Sequence, residues 1–214
     1  MTKQRKQKFL RPTTADQQEF LLRLFFGRGD GNVARCVDRA YRDFNRTLRS
    51  KGHDRFKDVS ANARVLLIAA IKDLAKSRSP LKTQSAFDEW HEDLCTNLKD
   101  AYGAGGYSAF TVGQGQKWIN MTLKYLYVFG EDRCPKYEQF YRFCHVPIDS
   151  IIVARLKEVN QGNLPPGIDG SAWSRIDDYS VYMGFQRWLR GAYEGSEPLA
   201  VEFALWQEKP LVND

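Results

Sequence analysis

The sequence predicts an all-α protein, on three observations. Apolar residues recur at helical spacing in every long segment, helix-starting residues stand just ahead of those segments, and no stretch shows the period-two alternation of a half-buried strand. With 214 residues, 43% of them hydrophobic, the chain can bury a core of its own, as one domain or two small lobes. No internal repeat is visible.

Residues 1–12 read as a flexible basic arm ended by Pro12, and residues 13–214 as a single helical domain whose two lobes would hinge near 160–170. Thr14 with Gln17 has the form of a capping box, opening a helix over about 15–27 that the glycines of GRGDGN close. The next helix, over about 32–50, is the most legible. Val33, Val37, Ala40, Tyr41, Phe44 and Leu48 share one face, and Arg35, Arg39, Arg42, Arg46 and Arg49 recur on another as an arginine stripe. Ser60 is placed to cap a third helix through VLLIAAIKDLAK, with Pro80 closing the connection after it. A fourth helix follows over about 83–102, with Phe87, Trp90, Leu94 and Leu98 inward, and GAGG breaks the chain at 103–106. Further helices are expected over about 115–129, 136–143 and 149–160. NQGNLPPGIDG is loop, a helix capped by Ser171 or Ser174 reaches Tyr193, and SEPLAVEFALWQE forms a last short helix.

The net charge of +6 is uneven: the basic excess lies within residues 1–60 and the remainder is slightly acidic. Such polarity points to a polyanion touching one end of the molecule. Nucleic acid is preferred to a membrane, since no amphipathic anchor with bulky exposed apolar residues accompanies the charge. The longest apolar runs, VLLIAAI and SIIVA, fall far short of a membrane span, and the basic start lacks an apolar signal core, so a cytoplasmic location is expected. Cys36, Cys95, Cys134 and Cys144 have no paired spacing and read as free thiols. Cys134, Cys144 and His145 come nearest to a metal-ligand set, but no fourth ligand stands at a usual spacing, and no metal is expected.

FTVGQGQKWINMTLKYL, residues 110–126, raises the chemical question. Gly113 and Gly115 allow close backbone approach, and the helix that follows offers unpaired N–H groups to a phosphate, with Gln116 beside them. Lys117 then stands in the first helical turn, where the helix dipole and desolvation among Trp118, Phe110 and Tyr107 would favour a nucleophilic amine. A solvated first turn is the plain structural alternative. Farther on, CHVPIDSII places Asp149 at a helix N-cap, behind a stiffening proline.

These two segments resemble the helix-hairpin-helix DNA glycosylases, in particular the 8-oxoguanine glycosylase group. Gly113, Gly115 and Lys117 match the hairpin of form GxGxK, and Val146, Pro147, Ile148 and Asp149 match the apolar-Pro-apolar-Asp segment. The resemblance implies two all-helical lobes with a helix-hairpin-helix element and an interlobe cleft. It implies Lys117 as the nucleophile toward the sugar, Asp149 as its carboxylate partner, and Trp118, Phe110 and Tyr107 as candidates for the base pocket. Gly113, Gly115, Gln116 and the arginine stripe would grip DNA, and no cofactor is needed. Val112 stands where the hairpin usually carries proline, Gln114 where it carries an apolar residue, and EDRCPKYEQFYRF lengthens the interval to Asp149. No four-cysteine iron–sulfur pattern follows. Two other readings stay open: a nucleic-acid-binding accessory protein without catalysis, and a HEPN-type ribonuclease using Arg46 and His53.

Overall fold

The computed structural model describes residues 11–28, 31–49, 55–76, 81–168 and 172–207. It is 69% helical with no strand among those residues, so the all-α expectation holds with more than half the chain in helix. Most of the basic arm, together with His53, Pro80 and Ser171, lies outside the described residues.

Helix α1 (Thr14–Phe26) starts one residue earlier than the sequence reading: Thr13 is the cap, and Asp16 completes the capping box. Its apolar residues crowd around the helix, so only Phe26 is buried while Phe20, Leu21, Leu24 and Phe25 remain exposed. Bulky exposed apolar residues therefore do accompany the basic end, which corrects the expectation that none would. Helix α2 (Asn32–Phe44) stops short of the expected boundary near 50, and a 3-10 turn follows at Asn45–Thr47. The Thr47 hydroxyl donates to the Phe44 carbonyl at 2.7 Å, a local bond that competes with continuing the α-helix.

Helix α3 (Phe56–Leu74) begins before Ser60, whose hydroxyl instead accepts from Tyr41 and Tyr102 at 3.2 and 3.3 Å. Helix α4 (Gln84–Ala104) is capped by Thr83 and leads through 105–111 into α5 (Val112–Phe129). Helix α5 is the axis of the molecule: every residue except Tyr127 and Val128 is buried. The expected helix at 136–143 shrinks to the single turn α6 (Glu138–Tyr141), and α7 (Ser150–Val159) starts on Asp149 as read from the sequence. Helix α8 (Tyr179–Ala192) is capped by Asp178, since Ser174 lies in a 3-10 turn at Trp173–Arg175, and Pro198 opens α9 (Pro198–Trp206).

Two hydrophobic clusters share this framework. The larger gathers α1 to α6 around Phe44, Leu67, Phe87, Leu98, Trp118 and Leu126, and the smaller gathers α7 to α9 around Ile148, Ile152, Tyr182, Phe185 and Leu205. Trp173 and Tyr179 pack against both. Among the described residues no helix is long and apolar enough to cross a membrane.

Candidate functional site

The glycines expected in a phosphate-gripping loop lie inside α5, and the chain itself closes that helix start. Thr111 caps it, accepting from Gln114 N at 3.2 Å, while the Gln114 side chain returns to Thr111 N at 3.1 Å. Gly113 N donates to the Ile176 carbonyl at 2.7 Å and Val112 N to Asp177 at 3.4 Å. A Cβ on Gly113 would collide with the Trp173 carbonyl, so glycine is required there by close packing. With these first N–H groups already bonded, the phosphate seat inferred for Gly113, Gly115 and Gln116 is occupied by residues 173–177. Gln116 faces inward and is fully buried.

Lys117 points into the protein and is 3% exposed, with Nζ 2.6 Å from Asp149 Oδ2. The other Asp149 oxygen accepts from Ile152 N at 2.8 Å, so one carboxylate caps α7 and neutralises the ammonium at once. Because α5 begins at Val112, Lys117 falls in its second turn and not in the first as expected, away from the helix-end dipole, and it is buried rather than solvated. The two residues singled out from the sequence meet in direct contact.

Lys117, Met121, Lys124 and Tyr125 share one face of α5 and are each 3–8% exposed, the face continuing to the open Val128. Two turns from Lys117, Lys124 makes a second buried ion pair, 2.6 Å from Glu202 Oε1 on α9. Glu202 is 1% exposed and its Oε2 has no hydrogen-bond partner among the described residues. Burial pushes the Glu202 carboxyl above its ordinary range, against the attraction of Lys124 and Lys117, and the Asp149 charge adds to the rise. The two ion pairs are thus close enough to feel each other. The Lys124 ammonium lies 5.3 Å from the ring centre of Trp206, which is 54% exposed.

The irregular segment before Asp149 is held by buried polar side chains. Gln186 bonds both backbone groups of Val146, and Gln116 bonds both of Ile148. His145 lies between Asp88 at 2.7 Å and the Tyr182 hydroxyl at 2.7 Å, while His91 contacts Tyr179 at 2.8 Å and Asn120 at 3.0 Å. Burial holds both imidazoles below their usual pKa. Burial works against the Asp88 carboxylate too, but hydrogen bonds from His145, Gln84 and Arg190 outweigh it and bring it to about 2. Both ring nitrogens of His145 are thus engaged, and the Cys134 thiol bonds Cys36. No group of three or more His, Cys, Asp or Glu suited to a metal ion occurs among the described residues.

The remaining expectations need correction. Trp118, Phe110 and Tyr107 are core residues: Trp118 donates to the Val37 carbonyl at 3.0 Å, Phe110 stacks on Tyr102 at 4.2 Å, and the Tyr107 hydroxyl accepts from Arg49 N at 2.8 Å. They cannot line a base pocket without breaking the larger cluster. The arginine stripe splits. Arg35 lies over Phe129 and Arg39 over Phe25, Arg39 also pairing with Asp43 at 3.1 Å, whereas Arg42, Arg46 and Arg49 are exposed. Lys124 and Glu202 were missed by the sequence reading. Their signals were a lysine two turns after Lys117 and a lone charge within PLAVEFALW.

Comparison with protein-family models, with curated proteins and with solved structures gave no match.

Proposed function

We propose that the chain is a DNA glycosylase with abasic-site lyase capacity, acting on a base swung out of the duplex. The observation that carries this reading is the buried contact of Lys117, in the second turn of the central helix, with Asp149. In this mechanism an incoming nucleotide separates the pair, and Asp149 accepts the proton of Lys117. The neutral amine attacks C1′, forming the N–C1′ bond as the glycosidic bond breaks, and the base leaves with the bonding electrons and collects the proton from Asp149. The restored carboxylate takes a proton from the cationic adduct and passes it to O4′ as the C1′–O4′ bond breaks, and this ring opening gives the imine that permits strand cleavage.

Trp206 offers an exposed aromatic face beside Lys124 for the extruded base, in place of the buried Trp118, Phe110 and Tyr107. Arg42, Arg46 and Arg49 are the stripe residues free to meet phosphate. This chemistry calls for no metal or redox cofactor, and the cytoplasmic location belongs to the same proposal. Borohydride trapping on DNA containing an abasic site tests it, since only an imine to the chain is reduced to a stable adduct.

The tightness of the pair favours one alternative, a DNA-binding protein in which Lys117 and Asp149 are purely structural. Trapping separates the two, because a structural pair leaves no adduct while binding persists.

A further inference from the structure

The segment Cys144–Ile148 is buried and has no helix or strand of its own, and among the described residues no strand lies beside it. Its backbone polar groups need partners, and side-chain amides supply them. Gln186 Oε1 accepts from Val146 N at 3.0 Å and its Nε2 donates to Val146 O at 2.9 Å. Two residues on, Gln116 repeats the pattern at Ile148, accepting at 3.2 Å and donating at 3.1 Å. The two glutamines act as the facing strand would.

Their positions differ in consequence. Gln116 precedes Lys117 and Ile148 precedes Asp149, so this amide joins the two backbones one residue ahead of both members of the ion pair. All four of its hydrogen-bonding sites are used: Nε2 also donates to Gly113 O at 3.0 Å, and Oε1 also accepts from Asn120 Nδ2 at 3.0 Å. Asn120 is fixed in turn by Tyr182 and His91. The amide therefore has one orientation and cannot turn over without losing its partners. We propose that Gln116 is a positioning residue, whose two-point bond to Ile148 holds Asp149 Oδ2 on Lys117 Nζ, while Gln186 serves only to hold the segment.

This rests on the glycosylase reading solely in treating Lys117 as the reacting amine, and its test uses no nucleic acid. The full-length chain is treated with formaldehyde and cyanoborohydride, and methylation of Lys117 is followed by mass spectrometry in the parent, Gln116→Glu and Gln186→Glu. Glutamate keeps the shape and loses the amide's donations, two from Gln116 and one from Gln186. Lys117 labelling in Gln116→Glu should rise about tenfold or more, the equilibrium factor for losing two neutral amide donations, and should stay near the parent rate in Gln186→Glu. Amide exchange at Leu126 reports whether α5 is intact. Should Gln116→Glu unfold, Gln116→Met takes its place, with the same expectation. Lys117 labelling unchanged in a folded Gln116 variant, or raised equally by the Gln186 variant, overturns the proposal whether or not the chain acts on DNA.

Discussion

Lys117 and Lys124 lie two turns apart on the same face of α5, and each is neutralised by a carboxylate from a different helix, Asp149 at the start of α7 and Glu202 within α9. Two buried charges on one side of the central helix are costly unless each is paired. Four ionisable groups kept here, where apolar side chains would pack as well, mark this stripe as the place to look for chemistry.

Asp149 holds two roles, and substitutions can separate them. Asp149→Ala removes the cap and leaves Lys117 charged and buried, which should cost about 3–5 kcal/mol for the broken pair and about 1 more for the cap. Asp149→Asn keeps the cap and should cost less. Adding Lys117→Met to Asp149→Asn should restore most of the loss, as measured by urea unfolding. Additive losses in that double variant would mean the pair is not coupled.

Gly113 and Gly115 are expected to part company. Gly113→Ala drives a methyl into the Trp173 carbonyl and should destabilise by about 2 kcal/mol or more, whereas Gly115→Ala meets only ordinary contacts and should be neutral or gain up to about 1 kcal/mol of helix propensity. Were Gly113 a phosphate contact, its substitution would weaken DNA binding and leave the unfolding midpoint in place.

Acid should loosen the fold through the buried imidazoles. Because burial lowers the folded pKa of His91 and His145 from 6.5, the unfolded chain binds more protons as pH falls below that value. Stability should therefore drop below pH 6.5, by up to about 1.4 kcal/mol per pH unit for each histidine. Asp88 acts in a separate window, its contribution fading from its ordinary 3.8 down to about 2. Glu202 has the opposite sign, its raised pKa giving stability below 4.5 that is lost as pH rises through the folded value. His145→Gln should flatten the loss beneath pH 6.5. An unchanged profile would show that His145 does not carry it.

The basic stripe should divide by exposure. Neutralising Arg42 or Arg46 should lower the slope of log affinity against log salt on duplex DNA by about 0.9 per lost phosphate contact. Arg39→Ala should instead lower stability, through loss of its stacking on Phe25 and its bond to Asp43, and leave the slope alone.

Much of the helical framework was legible because its signals are local: the spacing in α2, the Asp149 cap and the Pro198 start each act within a few residues. The start of α5 was not. Its glycines look like a loop, but Gly113 is demanded by a carbonyl distant in sequence, a constraint that no local pattern contains. The arginine period was readable, whereas which arginines stack on Phe25 and Phe129 depends on how α1 and α5 meet α2. Lys117 and Asp149 could be picked out by motif, but Glu202 lacked one. A single carboxylate in an apolar helix declares itself only when its partner is seen, here a lysine 78 residues earlier on the central helix.

The most direct test of the central claim is covalent capture at Lys117. The parent chain is incubated with duplex DNA carrying an abasic site, reduced with borohydride and digested, and the adducted peptide is mapped by mass spectrometry. The account predicts an adduct on Lys117, abolished in Lys117→Gln while DNA binding stays largely intact, since one charge among many phosphate contacts changes affinity little. Binding without any adduct, or an adduct at another lysine that survives in Lys117→Gln, would contradict it.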